Sequence, residues 1–433
     1  MFQRLFVCML LVHYGSVGLA ADTLARRVTL GASFNFSPSE TRGVLITGLA
    51  PVSQLKDNDF RVNDLIVKVN NTALTSMLQW GQITRGFRGG QRVTFEVRRK
   101  DTIVNKTIVL KSLPMENPSG VDVIYSQFTN SKGIRLRLIV TKPKNVSQPH
   151  TTLYLLSWLS AAPVESMANG LGGLFEDLSK KYVLVRIEKQ GTGDSEGPDI
   201  SVTDFHTDVN NYVEGLSVLE KYPFIDKTNV ILLGISTGAA YAPMVAAQYN
   251  FKGIICTGGF VKTWYEHMID HERRRAMLSG TDPSMIDALI AGWTRFYYQF
   301  LVEKKSPADI VKSDTALAKL WRANYGGDHH QYGRHMRYFQ QLQDLELLKH
   351  WAKVNVPVLL FYGEYDWVMS PEDHWIIKDH LLSRKIPVKL EMVAQMDHSL
   401  NFFDSQKDAF DQRNMKNKIF SVSALIENWV RSL

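Results

Sequence analysis

Residues 230–242 constrain the fold of this chain more than any other stretch. The four apolar residues 230–233 are typical of a buried strand, and the sequence Gly-Ile-Ser-Thr-Gly follows them directly at 234–238. A run of small and apolar residues comes next and can begin a helix. Glycines on both sides of Ser236 leave room for a sharp turn that pushes its hydroxyl out of the sheet edge. The stretch therefore predicts an exposed serine at the N-terminus of a helix, where a developing negative charge is stabilised.

The length and charge of the chain bound its class. At 433 residues it is longer than one average domain, so we expect two domains. Hydrophobic residues make up 45% and charged residues 21%, which is typical of a globular protein with a sizeable core. The formal charge of +7 is spread over small clusters rather than one long basic stripe. We therefore expect no nucleic-acid partner and no binding to an anionic membrane.

The first 20 residues have the pattern of a signal peptide. Arg4 supplies a positive charge, residues 5–12 form a short apolar core, and Gly18 and Ala20 offer small side chains at the −3 and −1 positions for cleavage after Ala20. The apolar run is too short for a comfortable membrane span, so we expect no transmembrane anchor. The pattern predicts an exported protein, either periplasmic or secreted. Cleavage would leave Cys256 as the only cysteine, so stability must come from core packing rather than from an intramolecular disulfide.

Residues 22–113 alternate apolar and polar side chains in short runs, which is typical of strands. The predicted strands lie at 43–47, 64–69, 92–98 and 105–110. A helix is predicted at 76–84, before the turn at Gly89 and Gly90. We expect a small, mostly β domain here. Residues 114–120 have the composition of a linker to the rest of the chain.

One motif in this first domain is specific. Residues 61–72 have the sequence RVNDLIVKVNNT, which resembles a PDZ domain in the permuted form found in bacterial exported proteases. Asn63 and Asn71 stand where that family usually carries glycine, and asparagine is the best substitute at positive φ. The resemblance implies a carboxylate-binding loop whose N–H groups hold the C-terminus of a partner peptide that adds to a sheet edge.

The residues implied for this peptide-binding loop are Leu30, Gly31, Ala32, Ser33 and Phe34. With such a loop, the domain would recruit a protein partner or gate the substrate. The alternative is a domain that binds no ligand and only packs against the second domain.

Residues 121–433 alternate apolar strands with helical patterns. The predicted strands lie at 136–141, 152–157, 182–187, 230–233, 253–257, 356–362 and 388–392. The predicted helices include 175–181, 205–221 and 376–382. Such alternation predicts an α/β domain with a mainly parallel sheet and helices on both faces.

Acid and base residues follow the last two strands of this sheet. Asp366 comes after the strand at 356–362, and His398 comes after the strand at 388–392. Since parallel strands place their carboxyl ends at one edge, both side chains should lie near Ser236. The chain order Ser, Asp, His is that of an α/β-hydrolase triad. Glu364 and Asp397 are rival acids in the same loops.

Two further motifs make the resemblance specific. Residues 186–198 have the sequence RIEKQGTGDSEGP, and residues 357–366 have the sequence PVLLFYGEYD. With the serine motif, they resemble α/β-hydrolases of the exported esterase or serine-aminopeptidase-like type, over the whole of residues 121–433. The resemblance implies an α/β-hydrolase fold with a helical lid at about 261–345, preceded by the small PDZ-like domain.

The resemblance also implies roles for individual residues. Ser236 would be the nucleophile, His398 the general base, and Asp366 the residue that orients the imidazole. The oxyanion hole would combine the N–H of Thr237 with that of Leu159, in a loop where relatives carry glycine and this chain has Trp158. No cofactor is expected.

The lid segment is rich in aromatic residues, which predicts a small-molecule or acyl substrate with an apolar part. The alternative is that these aromatic side chains form the core of the lid itself. His267 and His271 are spaced as two metal ligands on one helix face would be, but no carboxylate occupies a matching third position. We therefore expect no metal.

The sequence thus predicts an exported serine hydrolase that cleaves carboxylic esters through an acyl-enzyme. A peptidase or amidase with the same triad stays open, because the same groups attack either carbonyl. A third hypothesis is a non-catalytic PDZ scaffold with an inactive hydrolase domain, which the presence of all three triad residues disfavours. A dehalogenase is disfavoured because that branch uses a carboxylate where Ser236 stands.

Overall fold

The structure is a computed structural model that describes residues 24–37, 42–165, 171–416 and 419–433. The expected signal peptide at 1–20 lies outside the described residues. None of the described helices has both the length and the apolar character needed to cross a membrane.

The strands form three sheets. They are β1 (Ala32–Ser37), β2 (Gly43–Leu49), β3 (Leu65–Val69), β4 (Thr72–Ala73), β5 (Arg92–Arg99), β6 (Thr102–Val109), β7 (Val121–Thr129), β8 (Arg135–Pro143), β9 (His150–Leu156), β10 (Val183–Ile187), β11 (Ile225–Ile235), β12 (Gly253–Thr257), β13 (His330–Gln331), β14 (Arg334–His335), β15 (Val358–Gly363) and β16 (Val388–Val393).

Helices lie between most of the strands. They are α1 (Gln54–Asp57), α2 (Met77–Arg85), α3 (Leu171–Ser179), α4 (Phe205–Gly215), α5 (Thr237–Ala246), α6 (Trp264–Leu278), α7 (Pro283–Tyr297), α8 (Pro307–Ser313), α9 (Thr315–Asn324), α10 (Met336–Gln343), α11 (Leu347–Trp351), α12 (Pro371–Ser383), α13 (Gln406–Asp411) and α14 (Ile419–Val430). Two 3₁₀ segments, Ile200–Val202 and Leu216–Lys221, and a π-helical turn, Tyr298–Val302, complete the set.

The N-terminal unit is mostly β, as predicted. Its antiparallel sheet has the order β1-β2-β3-β5-β6, with β4 paired to β3. Alternate residues of these strands, such as Ile46 and Phe95, form a buried core with Trp80 of α2. Asn63 and Asn71 both have positive φ, at 74° and 69°, which is the conformation expected of residues in glycine positions. The likeness of this unit to a PDZ domain stays a prediction.

The predicted carboxylate-binding loop at 30–34 is mostly strand in the structure. Of the five residues predicted to form the carboxylate-binding loop, Ala32, Ser33 and Phe34 belong to strand β1. They pair with β2, and Phe34 faces Ile46 in the register. Only Leu30 and Gly31 precede the strand, because the backbone ladder with β2 already begins at Ala32.

The second sheet has eight strands in the order β16-β15-β12-β11-β9-β10-β8-β7. The five pairings from β10 to β16 are parallel, whereas β8 and β7 join antiparallel at the far edge. All seven strands predicted beyond residue 121 are present within a few residues. The sequence-based prediction missed β7, because most of its residues are half-buried and it has no continuous apolar run.

Helices cover both faces of this sheet, so its central strands are apolar on both sides. In β11, Val230 and Leu232 contribute to the larger core cluster, and Ile231 and Leu233 contribute to the smaller one. The continuous apolar run before Ser236 therefore has a simple cause: successive side chains enter opposite cores.

The segment between β12 and β15 contains the helices α6 to α10, at the position predicted for a lid. Most of its aromatic side chains pack on one another in the larger core cluster. Trp321 stacks on Phe296 with 4.4 Å between ring centroids, and Trp293 stacks on Tyr297 at 5.4 Å. The alternative weighed for these aromatics, a core of the lid itself, therefore accounts for most of them.

Charged side chains join the N-terminal unit to the α/β unit. Arg85 of α2 forms two hydrogen bonds to Asp199, at 2.7 and 2.9 Å. Arg27 donates to Glu165 at 2.7 Å, and Arg26 pairs with both Glu165 and Asp194. These contacts place the N-terminal unit against residues 161–165 and 188–202 of the α/β unit.

Candidate active site

Ser236 occupies a strained turn between β11 and α5. Its backbone has φ 56° and ψ −121°, a conformation that side chains rarely adopt and that functional sites often contain. The flanking glycines are required by close approach: a Cβ on Gly238 would lie 2.0 Å from the carbonyl oxygen of Leu156, and one on Gly234 would lie 2.7 Å from that of Gly238. The Ser236 N–H donates to Thr257 O at 2.9 Å. The turn thus holds the serine in one orientation.

A chain of hydrogen bonds joins Ser236, His398 and Asp366. The Nε2 atom of His398 lies 2.9 Å from Ser236 Oγ, and its Nδ1 lies 2.8 Å from Asp366 Oδ2. Since an ionised carboxylate only accepts, Nδ1–H donates to Asp366 and Nε2 accepts the serine hydroxyl proton. The loops after β15 and β16 carry the acid and the histidine to the same sheet edge as the serine, as the sequence order implied.

Both carboxylate oxygens of Asp366 accept hydrogen bonds, Oδ2 from His398 and Oδ1 from the backbone. Its Oδ1 accepts the backbone N–H groups of Val368 and Met369, at 2.9 and 2.8 Å. The rival acids have other partners: Glu364 accepts from the N–H of Gln395, and Asp397 accepts from those of Ser399 and Asn401. Asp397 thereby shapes the loop that carries the histidine without bonding to its ring.

The electrostatics of the pair suit a base that must accept a proton. Burial disfavours the charged imidazolium, but the negative charge and hydrogen bond of Asp366, with the charge of Asp397, hold the pKa of His398 above its ordinary value of 6.5. Burial likewise disfavours the charged form of Asp366, yet His398 and the Met369 N–H keep the pKa of this carboxyl below its usual range. Each partner therefore favours the charged form of the other.

The two predicted oxyanion donors lie at the same cavity. Thr237 is the first residue of α5, and Leu159 belongs to the loop after β9; both line the cavity that contains Ser236. The indole of Trp158 in this loop stacks on Phe175 with 6.2 Å between ring centroids and only 10° between planes. The loop thus accommodates the large side chain by packing it on α3.

The cavity has a volume of about 790 Å³ and a mainly apolar wall. Its aromatic lining residues are Trp158, Phe175, Trp264, Tyr325, Tyr332 and Trp367. The carboxylate in this wall, Glu165, is already bound by Arg26 and Arg27 of the N-terminal unit. Among the described wall residues, no other carboxylate faces the cavity.

The His267 and His271 rings stack with each other along α6, between Phe260 and Trp367. Burial lowers the pKa of both, and that of His271 to about 3, so they are neutral at ordinary pH. In the described ranges, no group of three or more histidine, cysteine or acidic side chains is placed to hold a metal ion.

A second, smaller cavity of about 310 Å³ adjoins the N-terminal unit. Four of the residues predicted to bind a peptide line it, namely Leu30, Gly31, Ala32 and Phe34, whereas Ser33 does not. The side chains of Trp80 and Thr84 on α2 contribute, and so do Ala161 and Pro163 of the α/β unit. Pro163 also lines the main cavity, so the two cavities share part of one loop.

The sequence-based prediction missed Gly258, which comes directly after β12. Its φ is +58°, and a Cβ at this position would lie 2.8 Å from Cε1 and 3.0 Å from Nδ1 of His398. The imidazole of His398 therefore packs directly against the backbone of Gly258, where a side chain would clash. The signal available in the sequence was the Gly258-Gly259 pair at the carboxyl end of a predicted strand, at the edge where the triad residues converge.

We expect Gly258→Ala to displace the His398 ring and to lower kcat by about 10- to 100-fold, because small misplacements of a catalytic group are costly. KM should change little. Gly280→Ala is the matched control: its φ is +78°, so alanine is strained there too, but nothing lies within 4 Å of the added carbon. Steady-state kinetics on a p-nitrophenyl ester would measure both, and equal losses in the two variants would contradict contact with the imidazole.

Solved structures of several hydrolases are similar to the α/β unit. The Pyrococcus furiosus esterase Pf2001 is 11% identical, with 74% of this chain and 96% of that chain covered and a TM-score of 0.45. The esterase RhEst1 from Rhodococcus sp. ECU1013 is 16% identical, with 71% and 99% covered and a TM-score of 0.42. The α/β hydrolase GrgF from Penicillium sp. sh18 is 14% identical, with 72% and 98% covered and a TM-score of 0.45. No curated protein sequence matches the chain.

More than half of the chain also matches the sequence model of one protein family. Residues 168–406, more than half of the chain, match the family Hydrolase_4, described as serine aminopeptidase, S33. The matched range includes the strained serine turn, the acid loop and the histidine loop. The chain belongs to this family of α/β-hydrolases.

Proposed function

We propose that this protein is a serine hydrolase that cleaves carboxylic esters through an acyl-enzyme formed on Ser236. The observation that carries the proposal is the continuous hydrogen-bonded chain from Ser236 Oγ through His398 to Asp366, at 2.9 and 2.8 Å. His398 takes the serine proton as Oγ attacks the carbonyl carbon, and then donates it to the leaving alcohol. Water repeats the sequence and releases the acid. Asp366 holds the imidazole in the reactive tautomer and stabilises the imidazolium.

The negative charge that develops on the carbonyl oxygen needs donors. We assign this role to the N–H groups of Thr237 and Leu159, which flank Ser236 in the same cavity. The N-terminus of α5 adds the partial positive charge of its helix dipole. No step requires a cofactor or a metal.

The decisive test is labelling with a fluorophosphonate, which reacts only with an activated serine. We expect wild-type protein to be labelled and Ser236→Ala to remain unlabelled. Ser399→Ala is the matched control, since Ser399 also lines the cavity but bonds to neither His398 nor Asp366 through its hydroxyl. Failure to label the wild type would reject the enzyme in favour of the non-catalytic scaffold.

Two features of the cavity wall support an ester as the substrate rather than a peptide: its single carboxylate is already paired, and it carries several aromatic side chains. A carboxylate with no partner would favour binding of the ammonium group of an aminopeptidase substrate, but Glu165 is paired with Arg26 and Arg27. The apolar wall favours a small-molecule or acyl substrate with an apolar part. The family description favours an aminopeptidase as the second candidate. Turnover of aminoacyl-p-nitroanilides but not of short- and long-chain p-nitrophenyl esters would decide for the peptidase.

The dependence of kcat/KM on pH should give the pKa of His398, the proposed base. His398 must be neutral to accept the serine proton, so activity is lost as pH falls through its pKa. Because Asp366 and Asp397 raise that pKa above 6.5, we expect the acid limb of kcat/KM to have its midpoint above pH 6.5. Rates measured between pH 5 and 9 on a neutral ester would test this. A midpoint below 6.5 would contradict the assignment of an Asp-paired histidine.

For the N-terminal unit we propose a peptide-binding role at the smaller cavity. Strand β1 is at the edge of its sheet among the described strands, so a peptide strand can pair with it. No hydrogen bond among the described residues uses the backbone N–H of Leu30 or Gly31 as donor, which leaves both for a terminal carboxylate. The wall contributed by Pro163 supports gating of the main cavity.

A screen of peptides with free and amidated C-termini against the full chain tests this role. We expect binding that requires the free carboxylate. Absence of binding, or equal binding of the amidated peptides, would favour the alternative in which the unit only packs on the α/β unit through contacts such as Arg85–Asp199.

We also propose export, as the N-terminal pattern predicts. Determination of the N-terminus of the protein purified from its source should give Ala21, and retention of Met1 in all of it would contradict cleavage.

A further inference from the structure

Two buried basic side chains donate hydrogen bonds to carbonyl oxygens of the loop that contains Leu159. Lys189 Nζ donates to the carbonyl oxygen of Trp158, and Arg334 Nη1 donates to that of Leu159 at 3.3 Å. The Lys189 and Arg334 residues are 5% and 1% exposed. They come from different parts of the chain, the loop after β10 and the β13–β14 hairpin of the lid. The loop is therefore anchored from two sides at consecutive peptide groups.

Because the peptide group is planar, fixing the Trp158 carbonyl also fixes the direction of the Leu159 N–H. The bond between Trp158 and Leu159 is trans, so the Trp158 carbonyl and the Leu159 N–H point in opposite directions in one plane. A donor that fixes the carbonyl oxygen on one side thereby fixes the N–H on the other. Leu159 lies in the wall of the cavity with Ser236 and Thr237.

The Lys189 ammonium bonds to the Trp158 carbonyl and forms no ion pair with a described residue. Its own carbonyl oxygen accepts the N–H of Thr192 at 3.1 Å and the hydroxyl of the same residue at 2.8 Å, which fixes its backbone. Among the described residues no carboxylate lies within salt-bridge distance of its ammonium, and the nearby Asp208 is paired with Arg334 at 3.0 Å. Burial lowers the pKa of Lys189 to about 7, with Asp208 opposing and Arg334 adding to that shift. Burying a lysine without a carboxylate costs stability, so core packing alone does not explain its presence here.

We propose that Lys189 is a positioning residue that orients the Leu159 N–H as an oxyanion-hole donor by holding the Trp158 carbonyl. The inference rests on the proposed function, because it concerns the same acyl-transfer site. It also resolves how a loop with tryptophan in place of glycine presents a donor: a side chain from another loop supplies the constraint.

The test uses full-length protein and the variant Lys189→Met, which keeps the length of the side chain and removes its donors. Oxyanion stabilisation acts in the transition state, so we expect kcat on p-nitrophenyl butyrate to fall by about 10- to 100-fold. KM should stay within about threefold. The inhibition constant of a trifluoromethyl ketone, whose adduct carries the same oxyanion, should rise by the same factor as kcat falls. Lys142→Met is the matched control, since Lys142 pairs with Asp122 on β7, away from the cavity.

The outcomes separate this inference from the proposed function. If wild type is not labelled by a fluorophosphonate, the proposed function and the inference both fail. If it is labelled, but Lys189→Met keeps kcat within about twofold or loses kcat without weakening the ketone, only the inference is overturned. Circular dichroism checks folding, and Lys189→Leu, which also has no donor, is the second variant with the same expected loss.

A double-mutant cycle gives an independent readout. Leu159→Pro removes the proposed donor itself, so Lys189→Met should add less than about twofold to its loss if both act through one N–H. Losses that multiply would overturn the inference.

Discussion

Replacing His398 by alanine is expected to lower kcat for p-nitrophenyl butyrate by about a million-fold, the scale of loss when a triad histidine is removed. Its Nε2 is the atom within hydrogen-bond distance of Ser236 Oγ, so without it the hydroxyl proton has no acceptor at 2.9 Å. KM should change much less, because the imidazole forms only part of the cavity wall. Kinetics on the purified variant, corrected for spontaneous hydrolysis, give the number.

Two comparisons make the result specific. His206→Ala alters an exposed histidine at the start of α4, and it should leave kcat unchanged. The double variant of Ser236→Ala and His398→Ala should be no slower than either single one, since the triad acts as a unit. A loss of less than tenfold for His398→Ala would mean that another group takes the serine proton.

The parts of this protein that follow from local pattern were predictable from sequence. The central strands of the large sheet are buried on both faces, so they appear as apolar runs such as residues 230–233. The strand–turn–helix context of Ser236, with glycines two residues away on each side, specified the strained turn. The order of Asp366 and His398 after later strands then specified which loops meet.

Features that depend on contacts between distant residues were not predictable in this way. Gly258 is required because the His398 ring rests against it, a contact made by residues 140 positions apart in the sequence. The role of Lys189 depends on the fold bringing two loops together. Strand β1 was assigned to a loop because its pairing with β2, rather than an apolar run, defines it. Edge strands such as β7 give weak patterns for the same reason.

The sequence assigned the orienting acid to Asp366 and left Glu364 and Asp397 as rivals, which have other hydrogen-bond partners in the structure. Asp397 lies next to His398 in the chain, yet its oxygens accept from the N–H groups of Ser399 and Asn401 and from Gln412. Glu364 accepts from Gln395. Adjacent residues in a tight loop point their side chains apart, so proximity in sequence is a poor guide to the acid.

Asp366→Asn is therefore the second change with a very large expected effect, a loss of kcat of about 10,000-fold. The amide is nearly isosteric and Oδ1 can still accept from Val368 and Met369, so the loop should keep its shape. The NH₂ group that replaces Oδ2 donates instead of accepting, which favours the tautomer with the proton on Nε2. That nitrogen then cannot accept the proton of Ser236.

The same variant should also move the acid limb of kcat/KM to lower pH. The charge and hydrogen bond of Asp366 are the main causes that raise the pKa of His398, and their removal leaves burial, which lowers it. Glu364→Gln and Asp397→Asn are the matched controls, each expected to lose less than about tenfold, because neither carboxylate bonds to the ring. The limb should stay in place for Glu364→Gln, and it should move less for Asp397→Asn than for Asp366→Asn, because Asp397 acts on His398 through its charge alone. If Asp397→Asn instead showed the larger loss and the larger shift of the limb, the acid of the site would be Asp397.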